Sequence, residues 1–252
     1  MVGSETQQPS LTGPGRVRRS SSSERVFELL RTSIVAGELV AGSQHSVYRL
    51  AEELDVSRTP VREAVLRLAD LGLVTVERNR GVRIRGVSVD DVRFVFELRL
   101  MIEVPAVAYA AAVAGDELVE ALDAELEAMQ RCAETEDEAA FTRHDRALHA
   151  ALAAPLGNPR VLAELTRLRD TVQVRGVSTI GRSREMTAVE SEHEPIVAAI
   201  RTRDVAASTL AMWTHLVHTG TLLMRQVSGS AEVDDGWAER LVPLVLGAPS
   251  RE

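Results

Sequence analysis

Lysine is missing from this chain, and all 29 of its basic residues are arginine. That absence reads as genomic composition bias, since arginine supplies the same charge. Cysteine occurs once, at Cys132, which excludes an intrachain disulfide and suits a cytoplasmic protein. Aromatic residues make up only 3% of the chain. The core must therefore come from its many Ala, Leu and Val side chains, which favours packed helices. No apolar run approaches the ~20 residues that a membrane-spanning helix needs. The first residues lack the apolar core of a signal peptide. No membrane partner is expected.

What is present divides in two. The 252 residues carry a net charge of −8, which is unusual for a nucleic-acid binder taken whole. Residues 1–87 hold 13 Arg against 10 acids, an excess of +3, and residues 88–252 hold 16 Arg against 27 acids, an excess of −11. The basic part comes first and the acidic part second. An excess of +3 is modest, so tight binding to a polyanion calls for two copies per site. Residues 1–22, rich in Gly, Pro, Ser and Gln, are expected to be a disordered tail.

The chain is organised around Leu50–Gly86. Its spacing predicts a short helix, a turn, a second helix and a hairpin. Ser46 is placed to cap the first helix, Val47–Leu54, after an opening helix over Ser23–Ala36. Ser57 is placed to cap the second, with Pro60 in its first turn. Val61, Ala64, Val65, Leu68 and Leu71 form its buried stripe, and Gly72 stops it. Arg58 and Arg62 share the opposite face. Val74 and Val76, then Val82 and Ile84, predict two strands joined by Arg78-Asn79-Arg80-Gly81. A helix offering two arginines and a threonine from its N-terminal end suits the major groove of double-stranded DNA, because arginine pairs bidentately with guanine edges.

After Val87–Asp91 everything reads as helix, opened by a capping-box spacing at Ser88–Asp91. Helices are expected over Asp91–Ala114 (Val95, Leu98, Ile102 and Val107 inward, Pro105 as a kink), Asp116–Glu134 and Glu136–Ala154. Others start at Pro159 and run over Met186–Arg201 and Asp204–Gln226, with a break around Val177–Arg184. Leu241–Leu246, in the tail from residue 229 to 252, suits packing onto the domain or a partner chain. Asp145 and His149 are four apart and share a face with Phe141, Leu148 and Leu152. An inward carboxylate and imidazole need partners. His193 and His215 lie on later helices that a bundle could bring near, with His218 one turn from His215 as its competitor. One carboxylate and three imidazoles suit a divalent transition metal such as zinc, nickel or manganese. The plain alternative is a hydrogen-bonded Asp–His pair.

Val56-Ser57-Arg58-Thr59-Pro60-Val61-Arg62-Glu63-Ala64-Val65 resembles the recognition-helix signature of the GntR family of bacterial transcription regulators. Leu68–Val74 and Asn79–Gly81 fit the same pattern. Ala41 replaces a family proline, and Tyr48 stands where an Arg is common. Asp145–His149, Leu152–Asn158, Glu192-His193 through Asp204, and His215 resemble the FCD domain of the FadR subgroup, as does Glu97-Leu98-Arg99 with Glu103. The resemblance implies a mainly α protein with an N-terminal winged helix-turn-helix over 23–87 and an all-helical domain over 88–228. It implies DNA contacts by Ser57, Arg58, Thr59 and Arg62, and Arg80 and Gly81 at the wing tip. It implies a metal held by Asp145, His149, His193 and His215. Arg99 would grip an effector carboxylate, unless it is merely paired with Glu103. The function implied is a homodimeric regulator, usually a repressor, whose affinity for its DNA operator answers to a small organic acid. A metal-dependent hydrolase and an architectural DNA-binding dimer are the alternatives.

Overall fold

The computed structural model describes residues 22–35, 38–78, 80–85, 87–174, 178–234 and 236–247. The expected disordered tail therefore lies outside the described residues, apart from Ser22.

The N-terminal part holds α1 (Ser22–Val35), β1 (Gln44–His45), α2 (Val47–Glu53), α3 (Arg58–Asp70), β2 (Val74–Glu77) and β3 (Gly81–Ile84). Val26, Leu30, Leu50, Val61, Val65, Leu68, Val82 and Ile84 make its core. Ser46 caps α2, its Oγ accepting from the Arg49 N–H at 3.1 Å. Ser57 occupies the cap position of α3 but makes no side-chain cap bond, contrary to expectation. A capping hydroxyl most often takes the N–H three positions on, and Pro60 has none to give. The sheet has three strands in the order β1-β3-β2, all antiparallel, where two were expected. Two residues are too few for alternation to reveal β1. Of the two valines of β2, Val74 is buried while Val76 is 50% exposed, so the core ends after the strand's first residue.

The second part is a helical bundle around α4 (Val89–Val113), against which α10 (Val205–Ser228) packs along its length. Ser88 and Asp91 form the capping box reciprocally, each side chain taking the other's backbone N–H at 3.0 Å. Burial on α4 runs through Val92, Phe96, Leu100, Val104 and Val107, with Arg99 and Glu103 buried among them. Leu98, expected inward, is 40% exposed. The charged residues of α4 lie on several of its faces, so its sequence carries little directional signal and its neighbours choose the inward face.

Asp116–Glu134 is α5, and α6 spans Glu138–Ala153. The latter starts two residues later than expected because Glu136 takes φ +55° and Asp137 becomes the cap. Pro159–Val174 is α7. The expected helix over 186–201 is two, α8 (Met186–Ser191) and α9 (Glu194–Arg201). Pro195 in the first turn of α9 cannot donate to the Ser191 carbonyl, so the ladder stops there. The short α11 (Val242–Val245) lies against α4. Leu241 and Trp237 are buried, and Trp237 Nε1 donates to Thr221 Oγ1 at 3.1 Å. No helix among the described residues is long and apolar enough to cross a membrane.

Candidate functional site

Ser57, Arg58, Thr59 and Arg62 are all exposed at the N-terminal end of α3. The Arg58 guanidinium stacks 4.8 Å from the Tyr48 ring centroid. Tyr48 at that position thus steadies an arginine instead of adding one, a role its sequence did not suggest. Arg58, Arg62 and Arg80 pair with no carboxylate among the described residues, whereas Arg67 holds Glu24 at 2.8 Å and Arg83 holds Glu77 at 2.6 Å. Arg80 sits exposed at the wing tip, its carbonyl accepting from Gln44 Nε2 at 2.8 Å. Gly81 has φ +95°, and a Cβ there would lie 2.3 Å from the His45 carbonyl oxygen. Only glycine admits that approach of β1 to β3.

In the second part, α6 supplies Asp145 and His149, the break between α8 and α9 supplies His193, and α10 supplies His215. All three imidazoles are buried, and one nitrogen of each lies within 4.8 Å of the others. Every Nδ1 is already engaged. His149 Nδ1 donates to Glu103 Oε2, His193 Nδ1 to the Val189 carbonyl at 2.8 Å, and His215 Nδ1 to Glu192 Oε2 at 2.9 Å. A carbonyl and two carboxylates only accept, so these partners assign the proton of each neutral ring to Nδ1 and leave Nε2 a lone pair. His149 Nε2 and His193 Nε2 are 3.2 Å apart. Asp145 Oδ1 stands 3.2 Å from His193 Nε2 and 3.9 Å from His149 Nε2. Lone pairs aimed at one another repel unless a cation lies among them. The donor set therefore fits a metal ion, with the outer hydrogen bonds that orient ligating histidines.

Asp145 is also bonded by Arg169 Nη2, so it stands beside the imidazole cluster with a partner of its own. His218 points outward, half exposed, and among the described residues reaches Glu192 Oε1 at 2.8 Å. That separates it from His215, which sequence spacing alone did not. His144 bonds Glu125, and His45 bonds Ser43.

Charge reinforces this arrangement. Burial, then the Arg169 charge, pushes His149 down to about 4. Burial, then His193, pushes His215 down to about 3. Burial works to raise Glu192, but hydrogen bonds from His215 and Arg184 outweigh it and hold the carboxyl at about 2. Burial likewise opposes ionisation of Asp145 and Glu103, yet Arg169 in the first case and Arg99 with His149 in the second keep both well below the ordinary range. His149 and His215 are thus neutral imidazoles backed by ionised carboxylates at neutral pH.

Beside it opens a cavity of about 500 Å³, walled by Arg99, Arg146, Arg169, Arg182, Arg184 and His215, among others. Arg99 both lines it and donates to Glu103 Oε1 at 2.6 Å, and both groups are buried. Its guanidinium also stacks 4.9 Å from the Phe96 ring centroid, so the Glu103 pairing is present in a side chain that faces the cavity. Arg169, Arg184 and Glu192 were missed as site residues, because no helical spacing links them to the Asp–His pair.

Two family models match the chain: bacterial regulatory proteins of the gntR family over residues 22–84, and the FCD domain over residues 94–218. The HTH-type transcriptional repressor NanR of Klebsiella aerogenes is 32% identical over 219 residues, covering 79% of this chain and 84% of that protein. The chain belongs to the GntR family. This GntR regulator also resembles the gluconate operon transcriptional repressor of Bacillus subtilis, at 26% identity over 75% of this chain and 79% of that one. A GntR transcriptional regulator of Rhodococcus sp. RHA1 shares its structure with a TM-score of 0.58 and 25% identity, covering 80% of this chain and 97% of that one. The relatives and the fold are those of DNA-binding transcription regulators and not of enzymes, which sets the hydrolase alternative aside.

Proposed function

We propose that this GntR regulator is a homodimeric repressor, its operator affinity set by a small organic acid in a metal-containing pocket. The reading assigns residues 23–87 to DNA and residues 88–228 to sensing and dimerisation. The observation that carries it is the cluster of three buried imidazoles, each fixed through Nδ1, at the wall of an arginine-lined cavity. A divalent transition ion there, zinc foremost and nickel or manganese as substitutes, would offer an open position to a carboxylate oxygen. His149, His193 and His215 would hold it through Nε2, with Asp145 as a further ligand. Arg99 and Arg169 would orient the acid. Two relatives are named as repressors, which favours repression as the sign of the response.

In the first part, Arg58 and Arg62 would read base edges, Ser57 and Thr59 would hold phosphate, and Arg80 at the wing tip beside Gly81 would meet the neighbouring groove or backbone. Two such heads need two chains. Phe94, Leu98, Met101, Tyr109 and Val113 form one stripe along α4, each at least 40% exposed. An apolar stripe of that length on a soluble helix supports a second copy of the chain as its cover. An acid that favours one arrangement of the two heads would shift operator affinity by that preference alone, typically about 1–3 kcal/mol.

The test is operator binding by the metal-loaded protein with and without a panel of small acids. A shift in affinity that vanishes in His193→Ala supports the reading. Operator binding that answers to no acid, in a protein that carries no metal, rejects it in favour of an architectural dimer.

A further inference from the structure

The arginines of the cavity narrow the class of acid. Four of the five hold a carboxylate of the chain: Arg99 holds Glu103, Arg146 holds Asp170, Arg169 holds Asp145 and Arg184 holds Glu192. Arg182 holds none among the described residues. In the amide orientation its neighbours require, Gln226 accepts from Arg182 Nη1 at 3.0 Å and donates to the Ser178 carbonyl at 2.7 Å. A neutral amide steadies a guanidinium without cancelling its charge. Arg182 is exposed, so an anion reaches it without displacing a carboxylate of the protein.

Its position is braced. The Thr179 carbonyl accepts from the backbone N–H groups of Ser183 and Arg184 at 2.9 and 3.0 Å. Gly181 makes the bend at φ +67°. Arg184 then ties the turn to Thr219 at 3.2 Å and to Glu192 at 2.6 Å. A charge on a braced turn binds without first losing the freedom of a loose one.

The opposite demand lies in the buried wall. Arg169 Nη1 is buried with no acceptor, and an unmatched buried donor marks a place where one is missing. The five guanidiniums are matched in number by Glu103, Asp145, Asp170, Glu192 and the wall acid Glu138. A divalent ion at the histidines would leave two positive charges over, which one carboxylate does not neutralise.

We infer that the effector carries two anionic groups, carboxylate or phosphate, and that Arg182 holds the second. The inference rests on the effector-pocket reading above. It is tested by calorimetry on the full-length, zinc-loaded protein with matched probes: succinate against butyrate, glutarate against pentanoate, and phosphoglycerate against glycerate. At least one probe with two acid groups should bind roughly tenfold tighter than its partner with one, the scale of one hydrogen-bonded charge pair. R182Q should remove that advantage while metal content stays unchanged, and R182K should keep part of it. Equal affinities within every pair, or an advantage that survives R182Q, overturns the inference and leaves the pocket reading standing. If no probe of either charge binds, both fall.

Discussion

His149 Nε2 and His193 Nε2 face each other at 3.2 Å, and each ring has its other nitrogen committed to an acceptor. Two lone pairs at that distance ask for a shared cation. Elemental analysis of the purified protein should therefore find about one transition metal per chain. His193→Ala and His215→Ala should each lose it while the N-terminal part of the intact variant stays folded. Full metal retention in both variants would falsify the assignment.

Metal binding should also stabilise the helical part. A ligand of the folded state alone adds about 2.7 kcal/mol at a hundred times its dissociation constant. Thermal unfolding of the intact protein should move up on adding zinc and down on adding a chelator. His149→Ala should show neither response.

The pH dependence of the metal-free protein follows from the same rings. His149 and His215 titrate near 4 and 3 in the folded chain and near 6.5 when unfolded. Below the unfolded value the unfolded chain binds protons that the folded one refuses. Their contribution is thus complete above pH ~6.5 and is lost as pH falls toward ~4 for His149 and ~3 for His215, at up to about 1.4 kcal/mol per pH unit for each ring. The carboxyls of Asp145 and Glu103, held well below their ordinary range, add their loss only at still lower pH. Urea midpoints at pH 7, 6 and 5 should descend in that order. A flat series would mean that the rings are solvated in the folded chain.

On the DNA side, Arg58→Ala or Arg62→Ala should weaken operator binding by about 1–3 kcal/mol and relax base preference. Arg80→Ala should weaken binding to all sequences alike and flatten its salt dependence. Fluorescence anisotropy over a salt series separates the two effects. Unaltered base preference in both helix variants would remove α3 from the role of reader.

Gly81→Ala tests the wing. The substitution places a Cβ at a positive φ and 2.3 Å from a backbone oxygen of β1, so the strand must shift. A loss of about 1–3 kcal/mol is expected from the backbone conformation alone. Thermal melting of the N-terminal part reports it, and an unchanged midpoint would show that β1 yields without cost.

Much of this molecule was legible in its sequence, and the legible parts share one physical cause. Where a helix has one apolar face, as in α3 and α5, periodicity alone locates its ends and its inward residues. Caps act locally too, so Ser88 with Asp91 could be read without knowing their neighbours, whereas the expected single helix over 186–201 overlooked the break that Pro195 imposes. The i, i+4 spacing of Asp145 and His149 likewise placed both on one inward face. What spacing could not settle was anything that depends on facing elements. The inward face of α4 was misjudged at Leu98 because its charges are spread around it and leave no preferred side until α10 packs on it. The choice of His215 over His218 turns on which of them α10 aims at His149. Glu192, Arg169 and Arg184 enter the site from an interrupted helix, from α7 and from a turn. A buried charge is stable only beside its counter-charge, and only the assembled bundle decides which charges meet.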